Sequence, residues 1–486
     1  MKIFSRRSRV LLATVFVVVV QLFVAPLVHA AGNVSVCDEA NFRFALMGGG
    51  LVTFSCSGTI TVTNALGGFI TLISPTVIDG SGQNVTLTRS DSHIALLSYT
   101  NLTIKNMTFT GGAQVAADAG GEINAESVTF RNIQGPRSPI EGRGGGSVSV
   151  LDCQFIDNAP LTYGGAISVD RGLLYVRRSV FRNNSSSRGG AIHAYASGLS
   201  IDDSIFDGNS AAPTDGSTAL GGAIYLSDSN LSITGSALIN NVAQGTAGGG
   251  STAATGGNAL GGAIRLDAGT LPASIAIYNT TLNGNRAIGG RGGRGFAVGG
   301  NGGLAVAGAI SQQGGTGGEI RLSSVTFADN YAQAGGSGSC SAPGCVPGAS
   351  GNAENLIYRI AARVVMKSSL FVTRFGGGCI SFTGLDDRGF NLEHGSGGCT
   401  DPAVASNLYA NPMVLPIADN GGPTPTNALA SGSPAIRGGA IGCLDIASLA
   451  TTVDQRGLPR KNSALRYRRL RNTAAAGGRT HWCAFA

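Results

Sequence analysis

The chain has 486 residues, of which 76 are glycine, and it is 43% hydrophobic but only 6% aromatic. It is longer than one compact core usually needs and too apolar for a disordered glycine-rich protein, and the lack of a Gly-X-Y period along the chain excludes collagen. The formal charge of +7 comes from the two ends, since residues 32–462 carry 25 basic and 27 acidic side chains. This body has no electrostatic footprint for a nucleic-acid partner.

The first 31 residues have the pattern of a signal peptide. Basic residues precede an apolar run from Val10 to Val24, and Val28–Ala30 has the small residues of a cleavage site. An uncleaved membrane anchor is the alternative, but the run is short for a span. We predict export with cleavage after Ala30 or Ala31 and no transmembrane segment after cleavage.

Nine cysteines in an exported chain predict disulfides with one cysteine left over. The candidates bracket three segments: Cys37 and Cys56, Cys340 and Cys345, and Cys379 and Cys399. Cys153, Cys443 and Cys483 remain, and the connectivity stays open. The spacings lack the paired pattern of a zinc site, so no metal or cofactor is expected.

An internal repeat is the strongest signal in the sequence. Gly-Gly-Ala-Ile begins at Gly164, Gly189, Gly221 and Gly261, with a degenerate copy at Gly308. A Phe-x-x-Asn or Leu-x-x-Asn motif follows each copy, and an earlier one spans Phe155–Asn158. Short alternating stretches between the motifs indicate strands with one buried face. A unit of about 25 residues holds three such strands, so we predict an all-β fold, a right-handed parallel β-helix with a C-terminal capping region.

The repeated residues have expected structural roles. The Gly-Gly pair permits a left-handed turn and close approach of neighbouring coils, and the Ile enters the core. Phe155, Phe181, Phe206 and Phe327 are expected to stack from coil to coil. The Asn tolerates left-handed geometry and bonds the turn backbone, which predicts a ladder. Its members are Asn158, Asn184, Asn209, Asn241, Asn285 and Asn330.

Gly-rich insertions separate the Asn from the next Gly-Gly pair. They occupy residues 211–220, 242–260 and 286–307. Stacked units place the same turn on the same edge, so these loops are expected to crowd one side of the helix. Two interpretations stay open: a binding surface, or tolerated slippage in a glycine-rich sequence.

The paired motifs over residues 109–330 resemble the repeats of the polymorphic outer-membrane proteins. That resemblance implies a surface adhesin, which in that family is delivered as an autotransporter. The chain ends without a segment of the size of a translocator barrel, so that delivery route is not expected here.

A second resemblance lies near the C-terminus. Three blocks, Asp419–Thr426, Gly432–Ile436 and Asp454–Arg460, are similar to the choice-of-anchor Q domain family, and Cys37–Leu46 resembles the segment that opens many of its β-helix members. The resemblance implies a bacterial secreted or cell-surface protein. We therefore divide the chain into a signal peptide (1–31), the β-helix (32–375), a choice-of-anchor Q-like region (376–462) and a basic tail (463–486).

The tail departs from that family. Similar proteins continue as Cys-Asp-Ile-Gly-Ala, whereas this chain reads Leu465–Arg469. Codons exist for these five residues that give Cys-Asp-Ile-Gly in the neighbouring frame. We hypothesise a frameshift between Arg460 and Leu465, which resequencing the end of the gene would test.

Parallel β-helices also carry polysaccharide lyases and glycoside hydrolases, and hydrolysis needs paired carboxylates. The candidate acids are Asp152, Asp157, Asp202, Asp203, Asp207, Asp228 and Asp329, and the candidate bases are Arg177, Arg178 and Arg265. Asp157, Asp207 and Asp329 lie inside the Phe-x-x-Asn turn, where stabilising the turn is the simpler role. His93, His193 and His394 are interpreted as structural or solvent-facing. We expect no catalytic residue.

The leading hypothesis is a secreted or surface β-helix that binds a glycan or a cell-surface ligand. A lyase or hydrolase on the same scaffold and a purely structural surface protein are the alternatives. Converging carboxylates in one groove would favour the enzyme, and polar and aromatic rows without them would favour binding. The oligomeric state is left open.

Overall fold

The computed structural model describes residues 32–460 except positions 64, 67, 92–93, 251–252, 270–271, 316–317, 355, 360–362, 374–377, 380–383, 396–397, 437, 439–443 and 450. The predicted signal peptide and basic tail, together with His93, Cys443 and Cys483, lie outside the described residues. The described chain is a right-handed parallel β-helix, which confirms the predicted fold class. One short helix, Glu39–Ala45, packs against its first coil, with Asp38 as the N-cap.

Three long parallel sheets form the sides of the β-helix. Sheet A has thirteen strands: Gly32–Val34, Gly50–Phe54, Thr76–Asp79, Asn101–Lys105, Glu122–Glu126, Ser147–Leu151, Leu173–Arg177, Gly198–Asp202, Asn230–Thr234, Ile275–Tyr278, Glu319–Ser323, Arg363–Lys367 and Leu385–Asp387. Sheet B has fourteen: Gly58–Val62, Val85–Arg89, Thr108–Gly111, Thr129–Gly135, Gln154–Ile156, Ala159–Pro160, Val180–Arg182, Ile205–Asp207, Ala237–Ile239, Thr281–Asn283, Thr326–Ala328, Leu370–Val372, Leu392–His394 and Leu408–Tyr409. Sheet C has ten: Ile70–Leu72, Ile94–Ser98, Gln114–Ala117, Ile140–Gly142, Ile167–Asp170, Ile192–Tyr195, Ile224–Ser227, Ile264–Ala268, Ile310–Gly314 and Ile357–Arg359.

Two short parallel ladders lie between sheets B and C in the chain. The outgoing ladder comprises Ser185–Ser186, Ser210–Ala211, Val242–Gln244, Arg286–Ile288 and Tyr331–Gln333. The return ladder comprises Ala219–Leu220, Ala259–Leu260, Ala305–Val306 and Ala353–Glu354. The predicted insertions connect these two ladders, so they stack on one edge of the helix. The remaining pair of strands, Val414–Ala418 and Thr426–Leu429, is antiparallel.

The core is built from columns of identical residues in register. The Ile of each Gly-Gly-Ala-Ile motif enters sheet C with its side chain inward, and Ile167, Ile192, Ile224 and Ile264 are fully buried. In sheet B the rings of Phe109, Phe130, Phe155, Phe181 and Phe206 stack with centroids 4.5 to 5.0 Å apart. Leu238 and Leu282 continue the column, and Phe327 then stacks on Phe371. Each aromatic pair adds about 1 kcal/mol beyond the area it buries.

A ladder of asparagine amides runs beside the phenylalanines. Each Nδ2 from Asn158 to Asn285 donates to the Oδ1 of the next Asn at 2.7 to 2.9 Å. The Nδ2 of Asn184 also donates to the Phe155 carbonyl, and its Oδ1 accepts from the backbone and side chain of Asn158. The full hydrogen-bonding capacity of this buried amide is therefore used.

The left-handed residue of this turn is not the ladder Asn, contrary to the sequence prediction. The preceding residue has the positive φ, as at Asp157 (55°), Asn183 (53°) and Gly208 (67°). The physical reason is that the ladder amide must point into the stack while the chain continues into the outgoing strand. The exposed corner residue before it therefore takes the strained conformation, which Asn, Asp and Gly tolerate.

The two glycines of each motif have different structural roles. The first one, Gly164, Gly189, Gly221 or Gly261, has φ between 63° and 71°. The second has no room for a side chain, because a Cβ on Gly190 or Gly222 would overlap a glycine carbonyl of the next coil. Only glycine meets both requirements.

Three disulfides join the predicted pairs: Cys37–Cys56, Cys340–Cys345 and Cys379–Cys399. The disulfide expectation is thus confirmed for these six residues. Cys153 is a buried free thiol directly before the sheet B strand Gln154–Ile156, and burial raises the pKa of this thiol to about 11. A thiol with so high a pKa is unreactive at neutral pH.

Sheets A and B continue beyond residue 375, where the sequence analysis ended the β-helix. Leu385–Asp387 pairs with the preceding strand of sheet A, and sheet B extends to Leu408–Tyr409. The described residues of 410–460 then form a strap, which we call the C-terminal strap, along the outer face of sheet B. Its amides bond the coils directly: Asn427 Oδ1 accepts from Asn283, and Gln455 bonds the Thr281 hydroxyl and the Ser236 carbonyl.

The three sequence blocks near the C-terminus build this strap. A Cβ on Gly422 of the first block would lie 2.5 Å from the Cα of Arg456 in the third, so the two blocks are in close contact. Asp454 accepts from the backbone of Arg456 and Leu458 and holds the third block in a turn. The blocks therefore dock the strap on the β-helix.

Candidate functional site

The residue after each buried Ile of sheet C points outward and forms a column across the coils. From coil to coil the column reads Glu141, Ser168, His193, Tyr225, Arg265 and Ser311. Alternation along the strand produces it, because the Ile beside each member faces the core. We call this surface the sheet C column.

Aromatic rings line the first half of the column. The rings of Tyr163 and His193 stack with centroids 4.8 Å apart, and Tyr225 lies 5.5 Å beyond His193. The Arg188 guanidinium sits 5.4 Å from the centroid of the Tyr163 ring, within cation–π range. Tyr163 and the neighbouring Tyr195 are 41% and 44% exposed, so aromatic faces are available to a ligand.

The column is solvent-accessible near Tyr163 and His193 because the return ladder begins only one coil later, at Leu220. Tyr163 and Arg188 occupy the position that Leu220 fills one coil later. From Leu220 onward the Gly-rich insertions rise beside sheet C, and the outward side chains become enclosed. Tyr225 is 6% exposed and Arg265 only 2%.

Arg265 is the centre of a buried polar network. Its guanidinium donates to Asp267 Oδ1 at 2.7 Å, to the Ser311 hydroxyl at 2.6 Å and to Gln313. The Tyr225 hydroxyl donates to Asp267 Oδ2 at 3.1 Å. Burial and the Asp267 charge raise the pKa of Tyr225 to about 12, so this phenol is a donor at neutral pH. The charge of Arg265, one of the candidate bases, is compensated inside this network.

His193 is a neutral ring at neutral pH. Burial, together with the positive charge of Arg188, lowers its pKa to about 4. Its Nδ1 lies 3.2 Å from the Ser168 hydroxyl. Within the described ranges no carboxylate bonds this imidazole, so the Ser–His contact lacks the orienting acid of a nucleophilic triad.

The candidate carboxylates lie at corners of the coils and do not converge on the column. Asp152, Asp157, Asp203, Asp228 and Asp329 all have positive φ at turns between sheets. Asp152 forms a two-point ion pair with Arg178, and Asp207 lies 3.5 Å from Arg182. Burial and the nearby Asp203 charge raise the pKa of Asp202. Most of these acids are turn residues, as the Phe-x-x-Asn pattern indicated for three of them.

The carboxylates on or beside the column are paired with arginines. Glu141 bonds Arg137 and Arg143, Asp170 bonds Arg171, and Asp267 bonds Arg265. Two free carboxylates at the separation that glycoside hydrolysis requires are not found among the described side chains of this surface. The part of the chain that the structure describes also contains no cluster of His, Cys, Asp and Glu suited to a metal ion.

Most of this surface was not predicted from the sequence. His193 was interpreted as a structural or solvent-facing histidine, and no role was predicted for Tyr163, Arg188, Tyr195 or Tyr225. One signal was available, because the residue directly after Gly-Gly-Ala-Ile is the column member in four successive coils. Tyr163 and Arg188 each directly precede the first glycine of a Gly-Gly-Ala-Ile motif, so the repeat also showed that they occupy the same position in successive coils.

Across residues 32–460, outside the gaps named above, no helix has the length and apolar character needed to cross a membrane.

No family model matches the chain, and no curated protein matches it. Similar solved structures include the catalytic domain of a GH87 alpha-1,3-glucanase in complex with nigerose, with 11% identity over 74% of this chain and 68% of that chain and a TM-score of 0.32. A mutant of the periplasmic alginate epimerase AlgG is also similar, with 11% identity over 74% of this chain and 83% of that chain and a TM-score of 0.28.

Proposed function

We propose that this protein is exported and binds a glycan through the sheet C column. The observation that carries the proposal is the exposed Tyr163 ring, which stacks on the half-buried His193 and has Arg188 over it, while the enclosed Tyr225 supports His193 from the next coil. Aromatic faces combined with a few convergent polar groups are typical of a ligand surface. Sugar rings suit such a surface, because they have an apolar C–H face and a polar rim of hydroxyls.

The polar groups of the column match that rim. Ser168 and the neutral His193 offer donor and acceptor positions, and Arg188 offers an additional donor. Tyr195, two residues after His193 on the same strand, supplies a second exposed ring in register with Asp170. A glycan lying across the coils would contact one such residue at each coil spacing of about 4.8 Å.

Binding is favoured over hydrolysis because each nearby carboxylate forms an ion pair with an arginine. A hydrolase needs one protonated and one ionised carboxyl group facing the same sugar. Glu141, Asp170 and Asp267 are instead each held by an arginine. The three disulfides support export, since such bonds persist in oxidising compartments.

The resemblances of the repeats and of the C-terminal blocks belong to the same proposal. Both imply a bacterial surface protein, and a glycan of the cell's own envelope or of a neighbouring surface is the ligand such a protein would meet. The contacts that the described part of the strap makes lie on sheet B and at the end of sheet A, away from the sheet C column.

A glycan array on residues 32–462 tests the proposal, with a parallel assay for new reducing ends. Tyr163→Ala is expected to weaken binding of the selected glycan about fivefold, since one stacked ring contributes about 1 kcal/mol. Tyr175→Ala is the matched control, because Tyr175 is 51% exposed on sheet A. Loss of binding in the control alone, or release of reducing ends by the wild type, would contradict the proposal.

A further inference from the structure

The Gly-rich insertions form a second stacked layer beside the coils, which we call the fin. It consists of the described residues of 245–258, 289–304 and 334–352, three hairpins whose arms leave from the outgoing ladder and come back to the return ladder. A column of buried alanines, including Ala243, Ala259, Ala287 and Ala305, closes the base of the fin.

The arms of the fin bond one another with a period of three residues. In the middle hairpin Gly290 N donates to Gly257 O, and Gly293 N to Ala254 O, in the previous coil. Gly289, Gly292 and Gly295 donate to Gln333, Gly336 and Ser339 in the next coil. Three residues per turn is the period of a polyproline II helix, so the fin is a bundle of such helices joined by backbone hydrogen bonds, the polyglycine II arrangement.

This bundle explains the local Gly-Gly-X triplets. Residues 289–294 read Gly-Gly-Arg-Gly-Gly-Arg, and residues 299–304 read Gly-Gly-Asn-Gly-Gly-Leu. Two glycines in each triplet face neighbouring arms, where a Cβ on Gly290, Gly300 or Gly303 would overlap a carbonyl. The third residue of each triplet, Arg291, Arg294, Asn301 or Leu304, is exposed or half-buried, so a side chain fits there.

The outer edge of the bundle, formed by residues 334–352, has a position without a backbone N–H donor. Pro347 stands in register with Gly299, whose N–H donates to the next coil. Proline has no N–H to offer a further chain, which disfavours edge-to-edge association of fins. The faces of the fin, rather than its edge, are therefore its interaction surfaces.

The face of the outgoing arms carries a shallow cleft of about 630 Å³. Gln244, Ile288 and Gln333 share one register across it, and Arg291 lies in the next row toward the tip. Pro213 and Thr214 form the N-terminal wall. An apolar floor between two amides, with a guanidinium beside it, is a set of groups that fits a sugar ring bearing an acid.

The charge of the fin has one sign. Residues 245–258, 289–304 and 334–352 contain Arg291 and Arg294 and no acidic residue. Both arginines are exposed, and neither forms an ion pair with any carboxylate that the structure describes. Among the described residues, the two guanidinium groups together make one hydrogen bond only, a long one from Arg291 Nε to the Ser337 carbonyl at 3.4 Å. The planar forks are therefore available for a carboxylate or sulfate ligand.

We propose that the outgoing face of the fin is a binding site for an acidic polysaccharide, separate from the sheet C column. Arg291 and Arg294 bind the acid groups, while Gln244 and Gln333 bind hydroxyls over Ile288. The site goes beyond the proposed function because it uses another surface and selects for charge.

Calorimetric titration with oligogalacturonate and with its methyl ester tests this site, because the two probes share a backbone and differ in charge. The full chain is expected to bind the acid, with affinity falling as salt rises, and to bind the ester much more weakly. The double variant Arg291→Gln/Arg294→Gln is expected to raise Kd about tenfold or more, and the double Lys variant to restore part of the affinity. Arg131→Gln, an exposed arginine of sheet B, is the matched control.

Three outcomes would overturn the fin site. Equal binding of acid and ester would exclude selection for charge. If Tyr163→Ala but not the arginine variant abolishes binding, the acid is held by the sheet C column, and the proposed function stands without the fin site. If the chain binds anionic lipid vesicles through the exposed Phe296 and no oligogalacturonate, the fin is a membrane contact instead.

Discussion

The coils from Gly164 to Asn209 and the fin are both stacked with one unit per coil, yet they satisfy their polar groups differently. The coils bury Ile and Phe columns and use a side-chain ladder, in which each Asn amide bonds the next. The fin relies mainly on hydrogen bonds between backbone N–H and C=O groups, with a few asparagine side chains such as Asn258 and Asn301 accepting from the backbone. The coils therefore require an Asn side chain at each turn, whereas the fin requires glycines without a side chain where its arms meet.

The difference predicts how each region responds to mutation. In the coils a lost side chain leaves buried partners unsatisfied, and the damage spreads through the column. In the fin an added side chain separates neighbouring arms, and the damage stays outside the main core. Stability in repeat proteins is carried by such nearest-neighbour contacts.

The largest effect is expected for Asn209→Leu. The substitution removes the partner of Asn184 and Asn241 and the donor to the Phe181 carbonyl, all in a buried setting. Unsatisfied buried groups cost about 1–3 kcal/mol each, so we expect a loss of about 3–6 kcal/mol and a clearly lower Tm. Asn101→Ala, at an exposed site with long side-chain hydrogen bonds, is the control. Equal Tm values for both variants would show that the ladder does not stabilise the coils.

A smaller global effect is expected for Gly300→Val. The new Cβ would overlap the Ala254 carbonyl and force apart two arms of the fin. Hydrogen exchange of residues 289–304 should accelerate about tenfold or more, while the main unfolding transition of the coils stays in place. Gly250→Val is the matched control, since a Cβ there meets nothing within 4 Å. A drop in Tm as large as that of Asn209→Leu would mean that fin and coils unfold as one unit.

The smallest effect is expected from His193. Its pKa is about 4 in the folded chain against 6.5 in the unfolded one, so the unfolded state binds the proton more readily. The stabilisation from the neutral ring is fully present above pH 6.5 and is lost as the pH falls toward 4. His193→Gln should flatten the dependence of Tm on pH over that window. The groups that face the ring are Ser168, Tyr163, Tyr225 and Arg188, and an unchanged slope would contradict this assignment.

Periodic features of the fold were predictable from the sequence, because each repeat records the same local requirement several times. The Gly-Gly turn and the inward Ile both follow from spacing and residue type, whereas the sequence named the disulfide candidates without fixing their pairing. The position of the sheet C column, directly after each Ile, was also present in the repeat, but the residues at that position differ chemically from coil to coil. A column of Ser, His, Tyr and Arg has no residue pattern, so it becomes visible only when the coils are stacked.

The sequence by itself determined the scaffold: a parallel β-helix with stacked Phe residues and insertions on one edge. Only the tertiary structure decided that these insertions pack as a polyglycine II fin and that the C-terminal blocks form a strap on sheet B. It also decided that Arg188 lies over Tyr163 while Arg265 is enclosed. The physical reason is that strand periodicity is encoded locally, whereas contacts between coils and with the strap join residues 16 to 219 positions apart. Which side chains meet in these contacts depends on the register in which the coils stack. The motif spacing is consistent with that register, but the sequence does not show which side chains it brings together.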